Sequence, residues 1–174
     1  MMDLKMDYPF TQEEMELAVR EWGCNCGPAA LAFACQVPLR RVRHAIPGFA
    51  EKGYTSPTMM KAGLMSLGRT FESVRTKGIS IYDMCCSPVA LVRVQWTGPW
   101  TSPGANPIWA YGHTHWIATW RDRNVNLVFD INGGAMRLDE WERDIVPELT
   151  AMAPRRDGGW FPTHCWRLVE RGNT

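Results

Sequence analysis

The sequence lacks any long run of apolar residues. No window reaches the roughly 18 to 20 consecutive apolar residues that a membrane-spanning helix requires. The first ten residues, Met1–Phe10, mix apolar side chains with Asp3, Lys5 and Asp7, whereas a secretory signal needs an unbroken apolar segment. We therefore expect a protein that has no membrane partner and stays in the cytoplasm.

The sequence also lacks a strong charge of either sign. Its net charge is +1, and its only basic cluster, Arg40 to His44, is typical of the solvent face of a short helix. Because nucleic-acid-binding surfaces carry clustered positive charge, we predict no nucleic-acid partner. Hydrophobic residues make up 45% and charged residues 21% of the 174 positions, with no internal repeat or linker. This composition predicts one folded domain over residues 1–174.

Six cysteines need an explanation in a protein expected to be cytoplasmic. They are residues 24, 26, 35, 85, 86 and 165. In a reducing compartment such residues are read first as thiols used for catalysis or metal binding, before disulfides. A zinc site made of Cys24, Cys26, Cys85 and Cys86 would require Cys-x-Cys and Cys-Cys spacings, which are poor for zinc. His113-Thr114-His115 is an equally weak metal signal, so we predict no metal and no other cofactor.

The first 70 residues are predicted to be mainly helical. Thr11-Gln12-Glu13-Glu14 is a capping-box sequence, and Ser56-Pro57 places a cap residue before a proline in a first helical turn. The predicted helices are 12–21, 26–35, 39–45 and 57–68.

From residue 70 onward the pattern changes to that of strands. Alternating or β-branched apolar residues predict strands over 70–76, 89–96, 115–120, 125–129 and 163–169, with a helix at about 139–149. Segment 98–107 is too rich in proline and glycine for regular structure and is predicted to be a loop, either a wall beside a functional site or a plain connector. Helices followed by antiparallel strands predict an α+β fold, in which amino-terminal helices pack on a carboxy-terminal antiparallel sheet.

One cysteine falls at the start of a predicted helix. Asn25 is a good N-cap, Pro28 is tolerated only in a first helical turn, and the residues from Ala29 to Cys35 are small and apolar. Cys26 is therefore placed at the amino end of the helix, where free N–H groups and the helix dipole lower the pKa of a thiol. This position is typical of a nucleophilic cysteine.

A cysteine nucleophile needs a base within hydrogen-bonding distance and a third group that orients the base. The hairpin made by strands 115–120 and 125–129 offers both. If residues 122 and 123 form its turn, His115 lies directly opposite Asp130; if residues 123 and 124 form it, His115 faces Asn132. Directly opposed side chains have Cβ atoms about 4.5–5.5 Å apart. His113, on the same face, is the second choice of base, and His164 is a further alternative without an acid or amide near it in sequence.

Three segments resemble the papain-like cysteine peptidase superfamily, and most closely the compact branch that includes the double-glycine leader peptidases of bacteriocin exporters. They are Asn25–Ala32, His115–Ala118 and Val128–Gly134. That family has a Cys-Gly-x-Ala-like helix start, a His followed by an apolar strand, and then an Asp at a similar spacing. The resemblance implies a papain-like fold, with Cys26 as nucleophile, His115 as base and Asp130 as orienting group. Lys52–Thr58 and Val94–Trp100 also resemble segments of uncharacterised short proteins of bacteriophages and bacteria.

One position departs from the family pattern. The family usually has a glutamine six residues before the cysteine, as a donor to the oxyanion hole, and this chain has Arg20 there. Losing one such donor costs about 10²–10³ in rate. Another side-chain amide could donate to the oxyanion beside the backbone N–H of Cys26. A side-chain amide could also orient the histidine in place of Asp130. The candidates are Asn25, Gln95, Gln12 and Asn132.

These features predict a cysteine peptidase or related thiol hydrolase that acts through an acyl-enzyme on a peptide, isopeptide or amide bond of a peptide or protein substrate. The same groups serve acyl transfer and deamidation. The alternative is a catalytically weak or inactive papain-like protein, phage-encoded, that binds or inhibits a partner. Nine tryptophans, several of them between residues 96 and 120, would give a binding protein an aromatic recognition surface, or else pack in the core.

Overall fold

The computed structural model describes residues 8–85, 88–152 and 159–169. Its amino-terminal part is helical. The helices there are α1 (Gln12–Trp22), α2 (Cys26–Cys35), α3 (Leu39–Val42), α4 (Phe49–Lys52) and α5 (Pro57–Ser66). Helix α3 is shorter than predicted, and α4 was not predicted. A helix of one turn carries too little hydrophobic periodicity to be recognised in a sequence.

The predicted caps explain where α1 and α2 begin. The Thr11 hydroxyl accepts a hydrogen bond from the backbone N–H of Glu14, and the Glu14 carboxylate accepts one from the backbone N–H of Thr11, at 2.7 Å. At α2, the side-chain oxygen of Asn25 accepts a hydrogen bond of 3.2 Å from the backbone N–H of Gly27. Cys26 is thus the first residue of α2, as predicted, because Asn25 satisfies one of the unpaired N–H groups of the first turn.

The carboxy-terminal part forms one antiparallel sheet. Its strands are β1 (Thr70–Val74), β2 (Ala90–Trp96), β3 (Thr114–Asp122), β4 (Val125–Asp130), β5 (Gly134–Arg137) and β6 (Trp160–Val169). Within the described ranges the strands lie in the order β1-β6-β2-β3-β4-β5, and every neighbouring pair is antiparallel. The predicted α+β class, with helices first and an antiparallel sheet second, is confirmed.

Several elements differ from the sequence prediction. Strand β5 was not predicted. Gly134 takes a φ of +76° and starts a short strand that pairs with β4. Helices α6 (Ile81–Met84) and α7 (Pro107–Tyr111) were not predicted, and α7 begins at the last residue of the predicted loop 98–107. The last helical region consists of α8 (Leu138–Glu140), a π turn (Trp141–Ile145) and α9 (Val146–Met152).

Two hydrophobic clusters cover the two faces of the sheet. Side chains alternate along β3, so that Trp116 and Ala118 join the cluster around α2, whereas Ile117 joins the opposite cluster, which contains Trp141. Helix α2 is buried along almost its whole length and packs against β3 and β4. Within the described part of the chain, no helix combines the length and the hydrophobicity that crossing a bilayer would demand.

Candidate active site

Cys26 lies at the amino end of α2, against strand β3. Its thiol is half-buried, makes a side-chain hydrogen bond to His115, and accepts one from the backbone N–H of Trp116. The neighbouring Gly27 is required by packing: a Cβ at this position would lie 2.2 Å from the hydroxyl oxygen of Thr55. The backbone carbonyl of Thr55 accepts a 2.8 Å hydrogen bond from the indole N–H of Trp116, and this bond holds the loop that carries Thr55.

His115, the first-choice base, lies near the start of β3 and contacts Asp130 at the end of β4. The distance between His115 Nε2 and Asp130 Oδ2 is 2.8 Å, which leaves Nδ1 for the thiol of Cys26. The hairpin pairs Asp122 with Val125, so residues 123 and 124 form its turn. In this register Asp130 is the diagonal neighbour of His115 and not the directly opposed residue.

The prediction that this register brings His115 to Asn132 is therefore corrected. Strand β4 ends at Asp130, and Asn132 lies in the turn that follows. Asn132 contacts the carboxylate instead: its backbone N–H and its side-chain amide each donate to Asp130 Oδ1 at 2.9 Å. The structure thus makes Asp130 the group that binds the histidine, with Asn132 behind it.

Asp130 is completely buried and fully hydrogen-bonded. Its Oδ2 accepts from His115 and from the indole N–H of Trp141, the latter at 2.7 Å. Burial acts to raise the pKa of Asp130, but the charge of His115 and the hydrogen bonds of His115, Asn132 and Trp141 outweigh burial and lower this pKa. The carboxylate is ionised at neutral pH and fixes the imidazole ring.

Trp141 is a part of the site that the sequence analysis missed. Its indole is completely buried and reaches Asp130 from the π turn that follows β5. A π turn widens the helix locally and is frequent at functional sites. A tryptophan 11 residues beyond the aspartate gives no sequence signal for this contact.

The charges of Cys26 and His115 stabilise each other. Burial acts to raise the pKa of Cys26, as does the charge of Asp130, but the charge and hydrogen bond of His115 and the N–H of Trp116 lower it overall. For His115, burial acts to lower the pKa, whereas Asp130 and Cys26 raise it to about 10. Between these two pKa values the pair is a thiolate and an imidazolium, which is the reactive form of a cysteine nucleophile.

A cavity of about 330 Å³ opens beside Cys26. Lys52, Tyr54, Tyr111 and Trp116 are among its lining residues, and none of the lining residues is acidic. The rings of Tyr54 and Tyr111 stack with 4.9 Å between centroids, so the cavity has one flat aromatic wall. Helix α7, which supplies Tyr111, follows directly after the segment predicted to be a wall or a connector.

Among the candidate oxyanion donors, Asn25 is the one that lines this cavity. Its side-chain oxygen caps α2, and its amide nitrogen donates to the carbonyl of Gly53 at 2.9 Å, which leaves its second N–H available. The amide nitrogen of Gln95 donates instead to backbone carbonyls, most closely to that of His113 at 2.9 Å. Gln95 therefore supports the loop before β3.

Gln12 and Asn132 line a second cavity, of about 590 Å³, that shares no lining residue with the first. The Gln12 amide donates to Glu16 on the solvent side of α1, at 3.0 Å. Arg20, which stands where the family has glutamine, is exposed near the end of α1. The structure places neither Gln12 nor Arg20 in the cavity beside Cys26.

The other histidines lie elsewhere. His113, the second-choice base, stacks on Trp100 with 3.4 Å between ring centroids, and burial lowers its pKa. His164 lies on β6, where its Nδ1 is 3.2 Å from the hydroxyl of Thr163. His44 is exposed beside α3.

The cysteines do not assemble into the zinc site considered from the sequence. Cys24 packs in the cluster around α2, Cys85 packs in the cluster on the opposite face of the sheet, and Cys86 lies outside the described residues. Over the ranges that the structure describes, no group of three or more His, Cys, Asp and Glu side chains is arranged to bind a metal ion.

The tryptophans are mainly core residues. Trp96, Trp100, Trp116, Trp120, Trp141 and Trp166 are buried. Trp22 and Trp160 are half-buried, and Trp109 is exposed. The aromatic recognition surface that would favour a binding protein is therefore not formed, although Trp96 packs edge-on against His115 and limits the access of water to it.

The chain was compared with protein-family models and with curated proteins. Neither comparison gives a match.

Proposed function

We propose that this protein is a papain-like thiol hydrolase that cleaves a peptide, isopeptide or related amide bond. The observation that carries the proposal is the contact chain from Cys26 through His115 to the buried carboxylate of Asp130. The direction of each pKa shift favours the form that nucleophilic catalysis requires, namely a thiolate, an imidazolium and a carboxylate. The cavity beside Cys26 gives room for the acyl part of a substrate.

The reaction follows from the positions of these groups. The Cys26 thiolate attacks the carbonyl carbon, and a C–S bond forms while the carbonyl oxygen takes the negative charge. His115 then gives its proton to the leaving amine, the C–N bond breaks, and a thioester remains. Water attacks the thioester while His115 takes its proton, and expulsion of the thiolate restores the resting pair. Asp130 holds the imidazole and balances its charge throughout.

Formation of the acyl-enzyme is the direct test. We expect p-nitrophenyl acetate to give a burst of nitrophenolate that is stoichiometric with the protein, and a single acetyl group on Cys26, removable by hydroxylamine. Stopped-flow absorbance and peptide mass spectrometry measure the two. The Cys26→Ala variant is the control and gives no burst. Acetylation spread over lysines, without a burst, would show that the protein is not a thiol hydrolase.

The oxyanion hole of this mechanism is built from the backbone N–H of Cys26 and the free amide N–H of Asn25. We expect Asn25→Ser to slow the burst about a hundredfold, as one lost oxyanion donor does. Serine is the informative replacement because its hydroxyl still caps α2. The matched control is Gln12→Ser, which alters an exposed amide of α1 and leaves the burst unchanged. Equal burst rates in the Asn25→Ser variant and the unaltered protein would exclude Asn25 from the oxyanion hole.

A further inference from the structure

Arg93, on β2, is a buried cation that has no carboxylate partner among the residues that the structure describes. Its side chain is 5% exposed, and Nη1 donates to the Thr163 hydroxyl at 2.9 Å, while Nε has no partner. The guanidinium carbon lies 5.4 Å from the centroid of the Tyr111 ring. No ion pair found among the described residues includes Arg93. A buried charge is costly unless an opposite charge compensates it, so we expect an anion close to the guanidinium of Arg93.

The register of the sheet points to Cys26. Arg93 is directly opposite Trp116 on β3, and the backbone N–H of Trp116 donates to the Cys26 sulfur. Tyr111, over which the guanidinium lies, lines the same cavity as Cys26. Trp116, opposite Arg93, and Tyr111, under its guanidinium, thus both place Arg93 on the side of the sheet on which α2 begins.

The other buried anion can be set aside. Asp130 is the only carboxylate that is buried among the described residues, and it is bound to Trp141 in the cluster on the opposite face of the sheet. Trp116, the cross-strand partner of Arg93, belongs to the cluster around α2. Within the described ranges, this leaves the Cys26 thiolate as the anion on the side of Arg93.

We propose that Arg93 is a positioning residue whose guanidinium stabilises the negative charge of the Cys26 thiolate from inside the protein. The inference rests on the proposed function, because a resting thiolate is what needs a permanent counter-charge. His115 gains and loses its proton during the reaction, whereas a guanidinium stays charged throughout. Arg93 therefore supplies a positive charge near the Cys26 thiolate that stays constant during turnover, unlike the charge of His115.

The charges around these two groups agree with this role. Burial has the largest effect on the pKa of Arg93 and lowers it, while the charges of Tyr111 and Cys26 act to raise it. His164, directly opposite Arg93 on β6, has a pKa lowered by burial and by the charge of Arg93, so it stays neutral.

The thiolate has its own set of titratable neighbours. His115 and Asp130 affect its pKa, and Lys52, Tyr54 and Tyr111 line its cavity. Cys24 lies two residues before it in the chain. Burial and the charge of Cys26 raise the pKa of Cys24 to about 12, so Cys24 is an uncharged thiol at neutral pH.

The pH profile of Cys26 alkylation tests the proposal. We expect Arg93→Gln to move the midpoint of iodoacetamide labelling upward by about one pH unit, which makes labelling about tenfold slower below both midpoints. Arg93→Lys keeps the positive charge but places it on a compact ammonium group, and we expect labelling of Cys26 in this variant to be about threefold slower. Arg41→Gln, an exposed arginine of α3, is the control and leaves the profile unchanged. Peptide mass spectrometry follows Cys26 alone, and circular dichroism checks that each variant is folded.

An unchanged midpoint in folded Arg93→Gln would overturn the proposal. If that variant does not fold, Arg93→Met, which also removes the charge but keeps an apolar side chain, decides in the same way. A loss confined to iodoacetate, with iodoacetamide labelling unaffected, would also overturn it, because Arg93 would then bind an anionic substrate group. The proposed function fails by a different result, namely a midpoint near the free-cysteine pKa of about 8.5 in the unaltered protein.

Discussion

Replacing His115 by Gln is expected to slow the alkylation of Cys26 by iodoacetamide at pH 6 about three-hundredfold. We expect Cys26 to be ionised at this pH in the unaltered protein, because the imidazolium of His115 lowers its pKa. Glutamine removes the charge, while burial and Asp130 continue to disfavour the thiolate. The thiol then has at least the free-cysteine pKa of about 8.5, so that only about one molecule in 300 is ionised at pH 6.

The direction of the pH dependence follows from the two shifted pKa values. The pKa of Cys26 is lowered, so labelling slows only when the pH falls below that value. The pKa of His115 is raised to about 10, and above it the imidazolium is lost while the thiolate remains. Labelling of the unaltered protein should therefore be nearly constant across neutral pH, whereas labelling of His115→Gln should rise tenfold per pH unit.

Peptide mass spectrometry after timed labelling gives the rates for the unaltered protein and for His115→Gln. Two other cysteines of the same chain serve as internal controls. Burial raises the pKa of Cys24 to about 12 and that of Cys35 to about 11, so both should stay unlabelled. His113→Gln is the matched variant, because His113 is the alternative base in the sequence and stacks on Trp100. If His113→Gln slowed labelling and His115→Gln did not, the assignment of the base would be reversed.

Replacing Asp130 by Ala is expected to destabilise the protein by about 3–5 kcal/mol, the cost of breaking a buried ion pair from one side. The change leaves the buried imidazolium with the Cys26 thiolate as its one remaining counter-charge among the described residues. It also removes the acceptor of three other hydrogen bonds, one from Trp141 and two from Asn132. Urea unfolding at pH 7 measures the loss. A change below about 1 kcal/mol would show that the pair is not formed in solution.

The effect of Asp130 on stability has a defined pH range. A carboxyl group with a lowered pKa in the folded protein contributes its full stability above its unfolded pKa of about 3.9. That contribution is lost as the pH falls through the lower, folded value. The difference between the unaltered protein and Asp130→Ala should therefore shrink in acid. It should also shrink as the pH rises from the unfolded histidine pKa of about 6.5 toward the folded value of about 10, where His115 loses the charge that pairs with Asp130. Asp139→Ala is the control, because Asp139 forms an exposed pair with Arg137 and should change stability little.

The parts of the site that could be predicted from sequence are those fixed by local interactions. The cap at Asn25 and the proline at position 28 place Cys26 at the first residue of α2, since a helix start depends on a few adjacent residues. The hairpin brought His115 and Asp130 to adjacent strands for the same reason, because its turn is only two residues long. The register stayed open, since turns at 122–123 and at 123–124 were both compatible with the sequence.

The parts that could not be predicted depend on contacts between distant segments. Trp141 reaches Asp130 only because β5, α8 and a π turn return the chain to the end of β4, and β5 itself was not predicted. Arg93 lies on a strand that is apolar at most positions, and nothing nearby in the sequence shows which anion faces it. The contacts of such residues can be assigned only when the order of the strands is known.

The order of the strands also determines which part of the site opens first. Strands β2 and β3 are paired on both sides, whereas β1 and β5 are edges. Local opening concentrates where fewer contacts hold the backbone, so edge strands exchange their amide hydrogens before interior strands. His115 and Arg93 are carried by interior strands, but Asp130 is paired with Gly134 of β5. Fraying of β5 would therefore loosen the carboxylate while the histidine and the arginine stayed in place on β3 and β2.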